Sequence, residues 1–439
     1  MRIGGPTKSK SPIIRYRLHI LFSTFLLIDF SRGRFILTHG RFFAEEGSYY
    51  WAHALKSNFF EQITFVAPKS GYLLLISNIS TEFSVIFPNN YSPLITSWFA
   101  LMVMTLPFLI AYIFKPGWVS LKLDNAVLIT LLISGPVMVA EVFANTINSQ
   151  IFLALTFFIF IIYYPRPSKT WKYIFTFIFL ISFLSGWYSL CLLPSYAIRI
   201  LTSTKNSFHT KIFVLGLTMS CLQIGVYIYS VKSSLLLGNR GHFFANLEKL
   251  PRGILGLVKF VFFFNRFDFL LLLLFVFFLF YRILIQRQFR FEKHDYSKFY
   301  SIPLVVCFVA LVSELALITF GGTGGFSGRY ITVPGTIGII GVFILIASLE
   351  NINRIFSYLM TFLLTVLLIS SFTSAYHYEN DLLACEKSCI SWEKQVQQVT
   401  VGIREYWVHW PYNDSPSGWR TNVVSPTVEL PHENRSTYR

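Results

Sequence analysis

The sequence predicts an all-α polytopic membrane protein, with about eleven transmembrane helices and surface helices on its extracytoplasmic side. Three observations carry that expectation. Of 439 residues, 54% are hydrophobic and only 13% charged, where a soluble domain carries about a quarter. Apolar runs such as 269–285 and 355–371 approach the roughly 20 residues with which a helix crosses a bilayer. Those runs do not alternate polar and apolar residues, so helices rather than barrel strands are expected.

Residues 1–17 are polar and basic, and the apolar run 18–37 that follows has no small-residue cleavage site behind it. It reads as a signal anchor, not a cleaved signal peptide. Lys8, Lys10, Arg15 and Arg17 precede it, which places the N-terminus in the cytoplasm. A first extracytoplasmic loop then covers 38–93. Within it, 72–87 is interrupted by Ser77, Asn78, Ser80, Thr81, Glu82 and Ser84 and reads as an amphipathic surface helix. Further spans are expected at 94–114, 126–143, 151–164, 173–185, 187–201, 212–229, 269–285, 299–320, 331–349 and 355–374. The stretch 231–252 is an outer loop, 253–264 a second surface helix, and 286–298 a basic inner loop. Residues 1–376 thus form one bundle, and 377–439 a short extracytoplasmic tail.

This topology puts Arg166, Lys169, Lys205, Lys211, Arg287, Arg290, Lys293 and Lys298 inside, while Lys232, Arg240, Lys249 and Arg252 run against the bias. No repeat of 20–50 residues is visible, which weighs against inverted-repeat transporters. The net charge of +16 is scattered between spans, so membrane lipids are the expected partner and nucleic acid is not. Of five cysteines, Cys191, Cys221 and Cys307 lie in apolar runs and read as packing residues. Cys385 and Cys389 are too far apart for a CxxC motif and lack the histidine neighbours of a zinc site; a disulfide between them depends on the compartment.

At this topology the outer face receives His39, Arg41, Glu45, Glu46, Glu141, Asn145, Asn148, Arg240, His242 and Arg329. Glu45 and Glu46 stand in HGRFFAEEGSYYWAHAL (39–55). Neighbours on a helix point about 100° apart, so one carboxylate can face a substrate while the other orients it or holds a metal. Phe42, Phe43 and Trp51 would shield the pair from water, which suits a general base. The competing explanation is that both acids complement the dipole of a helix N-terminus. Arg329-Tyr330 follows five glycines, either as an anion-binding turn or as the interfacial anchor of the next span. Arg240-Gly241-His242 is a candidate phosphate contact.

In this order the pieces resemble the GT-C superfamily of membrane glycosyltransferases. FFAEEG resembles the "WAEDG" motif of a bacterial branch, and SGYLLLISNISTEFSVIFP its following GYL…P helix. EVFANTINSQIFLAL resembles its EV–N–TN–QW stretch, and SGWYSLCLLPSYAIRIL its SGP–LLP stretch. SWEKQV, YWVHWPY and SGW resemble its outward tail. Glu46 stands where aspartate is usual, Ala44 follows Phe43 in place of tryptophan, and Ile151 replaces the tryptophan of NxQW.

The resemblance implies an inverting glycosyltransferase of the bacterial inner membrane, working in cell-envelope glycan biosynthesis. A sugar would pass from a polyprenyl-phosphate carrier to a hydroxyl of a glycan, lipid or protein acceptor. Glu45 or Glu46 would be the catalytic base, with Arg41, Asn148, Arg240, His242, Arg329 and Tyr330 as substrate contacts. A magnesium or manganese ion on Glu45 and Glu46 is compatible with carboxylate ligands. The rivals are a polysaccharide polymerase or ligase, and a lipid-linked glycan transporter or flippase. The transporter class would use charges within spans, such as Asp29, Glu82 or Glu314.

Overall fold

The computed structural model describes residues 12–40, 42, 45–67, 70–114, 127, 128, 130, 131, 142–203, 206–232, 296–320, 329–349, 362, 392, 405–410 and 419–424. Helix α1 (Pro12–His39) loses helical geometry at Gly33 (φ −105°, ψ 20°). A Cβ there would overlap the ring of Phe143, so glycine allows the loop ahead of the central helix to press onto the α1 backbone. Gly40 (φ +68°) stops α1 in the left-handed conformation, and its N–H donates to the Ile36 carbonyl at 2.9 Å.

A π-helical turn (Glu46–Trp51) follows and runs into α2 (Ala52–Ala54). Its wide winding is registered by the N–H of Ala52, which reaches back five residues to the Gly47 carbonyl. Adjacent residues of the turn serve different cores: Tyr50 enters the main one, and Trp51 packs with Phe42 and Trp392 in a small second cluster. Helix α3 (Phe59–Ile63) begins with a reciprocal capping box between Asn58 and Glu61. Helix α4 (Leu75–Ser84) forms where the surface helix was expected, but its polar face turns inward. Ser77, Asn78, Ser80, Thr81 and Ser84 are all buried there. Asn78 donates to the carbonyls of Ile63 (3.0 Å) and Phe65 (2.9 Å), which ties the α3 segment down.

Pro93 opens the long helix α5 (Ser92–Ile113). Next in the described chain comes α6 (Ser149–Tyr163), every residue of which is buried. Its Phe157 and Phe160 meet Phe179 of α7 (Lys169–Phe183) at 5.1 and 4.7 Å between ring centroids. Phe157 also meets Phe183 at 5.0 Å, and Tyr196 of α9 (Leu193–Thr202) at 5.2 Å. These edge-on contacts account for part of the phenylalanine content. The short α8 (Tyr188–Cys191) precedes α9, and α10 (Ser207–Lys232) packs on α7 and α9. Helices α11 (Tyr296–Phe320) and α12 (Arg329–Leu349) pair with one another, and α11 also lies against α9. An antiparallel hairpin of β1 (Glu405–Trp410) and β2 (Trp419–Val424), with Glu405 opposite Val424, stands beside the π-helical turn.

The eleven expected spans are not found among the described residues. Among the described residues, two helices are long and apolar enough to cross a membrane, Ser92–Ile113 and Ser207–Ser230. The stretches Phe22–Ser31, Ser149–Tyr163, Ile302–Leu317 and Thr332–Ala347 are apolar but shorter. With 15 residues, α6 is about 22 Å long, less than a hydrocarbon core of about 30 Å. The span expected over 187–201 is broken at Leu192 into α8 and α9. The polytopic GT-C-like fold is therefore corrected, and so is the integral inner-membrane location, N-terminus inside and C-terminus outside, that rested on it. The physical reason is that a helix apolar all round belongs equally to a bilayer or to a protein interior, and α6 is enclosed by protein. The expected elements over 253–264, 269–285 and 286–295 lie outside the described residues. So do nearly all of 126–143, 231–252 and 355–374, and also Cys385 and Cys389.

Candidate functional site

Glu46 opens the π-helical turn and is fully buried. Its Oε1 accepts the backbone N–H of Thr146 at 3.1 Å and, over a short contact, the Thr146 hydroxyl. Two donors on one oxygen offset much of the cost of burying a carboxylate. The loop 142–148 that brings Thr146 there is tightly specified. Ala144 adopts φ +45°, unusual for a residue with a side chain, and its N–H points at the Met104 sulfur at 3.3 Å. Asn145 accepts the Asn148 N–H at 2.9 Å, and Ser149 donates to the Asn145 carbonyl at 3.2 Å, which starts α6.

Glu45 is half-buried and provides no side-chain cap to the turn. Among the described residues its carboxylate accepts no hydrogen bond. Tyr50, five residues on, is held in its protonated form by burial first, then by Tyr72 and Glu45, while a hydrogen bond with Ser70 works the other way. Glu45 thus acts electrostatically on the buried Tyr50 phenol, which also interacts with the half-buried Ser70 and Tyr72.

A second wall comes from the segment 70–76. Gln150 in the first turn of α6 donates to the Tyr72 hydroxyl at 3.4 Å and to the Ile147 carbonyl at 3.2 Å. Gly186 (φ +99°) lies so close to Gln150 that a Cβ would overlap its amide oxygen. The side chain of Gln223 imitates a strand partner for Leu73: it accepts the Leu73 N–H at 3.0 Å and donates to its carbonyl at 3.1 Å. Ser185 is an acceptor in the same way, its hydroxyl oxygen taking the Ile76 N–H at 3.1 Å. Four distant segments are therefore fixed around one end of α6.

Of the residues singled out in the sequence, Glu45, Glu46, Asn145 and Asn148 come together here. Tyr330 is half-buried at the edge of the main core, and Arg329 opens α12. Arg41, Glu141, Arg240 and His242 lie outside the described residues, and His39 is exposed at the end of α1. Sequence reasoning missed Thr146, Gln150, Tyr50, Ser70 and Tyr72. The run NTINSQ (145–150), polar at five of six positions directly before an apolar helix, was the available signal.

Among the described residues no three or more His, Cys, Asp or Glu side chains gather as a metal centre. No family model, curated protein or solved structure matches the chain. The resemblance to GT-C glycosyltransferases is therefore corrected, because neither the many-span architecture nor a family match accompanies the short motifs that carried it. The glycosyltransferase assignment falls with it, as do the polymerase, ligase and flippase rivals, which needed the same many-span frame.

Proposed function

We propose that the chain binds a polyhydroxylated, sugar-like ligand at the Glu45 end of α6, with Glu45 as the hydrogen-bond acceptor. Glu46 is the positioning residue, which fixes the turn by its grip on Thr146. The observation that carries this reading is the contrast within the pair: Glu46 is satisfied by Thr146, whereas Glu45 accepts no hydrogen bond among the described residues and acts electrostatically on the Tyr50 phenol. A carboxylate with open lone pairs beside phenols and amides matches a ligand rich in O–H groups, which both donate and accept. A magnesium or manganese ion at this place would rest chiefly on Glu45 and would draw its remaining oxygens from ligand and water.

The test is a thermal-shift panel of neutral mono- and oligosaccharides on the full-length chain, with and without magnesium. At least one sugar is expected to raise Tm in a saturating manner, and Glu45→Gln to lose that shift while keeping the parental Tm. Absence of any saturating shift, or an undiminished shift in Glu45→Gln, rejects the proposal.

A further inference from the structure

The opposite end of α6 holds a second polar cluster, independent of the first. Arg199, in the last turn of α9, is buried and donates one guanidinium N–H to the Ile162 carbonyl at 3.2 Å. Its guanidinium carbon lies 5.3 Å from the centroid of the Tyr164 ring. The other face of the cluster is His209, stacked on Tyr164 at 3.7 Å between centroids. Tyr164 itself caps α6 in the left-handed conformation at φ +46°. His209 Nε2 lies 2.8 Å from the Pro165 carbonyl, which can only accept, so this nitrogen carries the proton. Nδ1 must then accept from the Tyr196 hydroxyl at 2.8 Å. That leaves two buried groups without a partner, the Arg199 Nε–H and the Tyr164 hydroxyl.

Both groups can donate, and among the described residues no Asp or Glu receives them. No Asp or Glu occurs in the sequence between Glu141 and Glu248, while Arg166, Lys169, Lys172, Arg199, Lys205 and Lys211 all fall in that stretch. Among the described residues Arg199 forms no ion pair. Burial lowers its pKa to about 10, with Tyr164 opposing, so it remains a cation at neutral pH. The C-terminal carbonyls of α6 offer only about half a unit of compensating charge. A buried cation of this kind is normally matched by an anion.

We propose that Arg199 and Tyr164, with Arg166 at the rim, form a binding site for a phosphate group. One phosphate oxygen would accept from the Arg199 Nε–H and another from the Tyr164 hydroxyl, the planar guanidinium supplying the geometry that a lysine lacks. Arg166 already acts electrostatically on the Tyr164 phenol, as Arg199 does. The same chemistry is offered by free phosphate and by the headgroup of an acidic phospholipid.

The full-length chain is titrated with inorganic phosphate at constant ionic strength, with chloride as the control, and Tm is followed. In a second arm it is mixed with phosphatidylcholine vesicles with and without phosphatidic acid, and co-sedimentation is measured. Tyr164→Phe removes one oxygen that has no partner in the fold, so the variant keeps its Tm without phosphate. It is expected to weaken phosphate binding roughly 10- to 100-fold, the worth of one charge-assisted hydrogen bond. Arg199→Lys retains the charge but loses the Nε–H and should weaken binding by a similar factor. A saturating phosphate shift sensitive to both variants identifies a free phosphate ligand; variant-sensitive binding to acidic vesicles alone identifies a headgroup. No saturating response in either arm, or responses equal in parent and both variants, overturns the proposal.

Discussion

Thr146 gives both its backbone N–H and its hydroxyl to a single oxygen of Glu46, a residue one hundred positions earlier in the chain. This pair couples the π-helical turn to the loop that starts α6, and both partners are buried. Thr146→Val keeps shape and volume but removes the hydroxyl, so it should cost roughly 1.5–3 kcal/mol, the range for a hydrogen bond to a charged group. Glu46→Gln should cost a similar amount, and the double variant less than the sum, because each single change already breaks the same contact. Denaturant midpoints of the four proteins measure this, and strict additivity would show that the contact is not coupled.

Glu45 should behave in the opposite manner. It is half-buried and lacks a donor among the described residues, so Glu45→Gln should change stability by no more than about 0.5 kcal/mol. Side by side in the same denaturant series, Glu46→Gln is expected to unfold well before Glu45→Gln. Equal midpoints would remove the division of labour between the two acids.

His209 makes stability depend on pH. Burial, the largest cause, with Arg199 adding to it and the Pro165 carbonyl opposing, lowers its pKa from 6.5 to about 4. The folded state therefore rejects a proton that the unfolded state accepts below pH 6.5. The contribution is complete above about pH 6.5 and is lost as pH falls toward about 4, by an amount on the order of 3 kcal/mol. His209→Phe should be less stable at neutral pH, because it leaves Tyr196 and the Pro165 carbonyl unpaired, but its midpoint should vary less over that window. Parallel pH profiles for the two proteins would assign the acid sensitivity elsewhere.

Two glycines give opposite expectations for the same substitution. A Cβ on Gly40 would sit 2.6 Å from the Leu94 Cα, at a φ of +68°. Gly40→Ala should therefore cost on the order of 2–4 kcal/mol, from left-handed strain plus displacement of the start of α5. Gly225 is inside α10 with nothing within 4 Å of an added Cβ. Gly225→Ala should stabilise by about 0.5–1 kcal/mol. Thermal or denaturant unfolding of both variants checks the signs.

Apolar runs and their ends were legible in the sequence. The stretches expected over 94–114, 299–320 and 331–349 fall on Ser92–Ile113, Tyr296–Phe320 and Arg329–Leu349. What encloses such a run was not legible, since Phe157 and Phe160 would read alike against lipid tails or against Phe179 and Tyr196. The inward polar face of α4 was hidden for the same reason, because Asn78 has to find Ile63 and Phe65 before its burial is tolerable. At the candidate site, Glu45 and Glu46 stood out as an acidic pair in an acid-poor chain. Their different duties did not, because Thr146 becomes a neighbour only through the tertiary fold, and no local rule announces a π-helical turn at Glu46.

Complete enclosure of α6 also sets a problem of timing during synthesis. Chains emerge from the ribosome N-terminus first, at roughly 5–20 residues per second. Residues 149–163 leave it before α7, α9, α11 and α12, all of which supply walls around that helix. For many seconds the nascent protein carries a fifteen-residue apolar segment, rich in phenylalanine and isoleucine, whose cover does not yet exist. Its safe passage therefore depends on a chaperone or another temporary apolar host, and a ribosome stalled between residues 164 and 296 should yield a polypeptide that such a host retains.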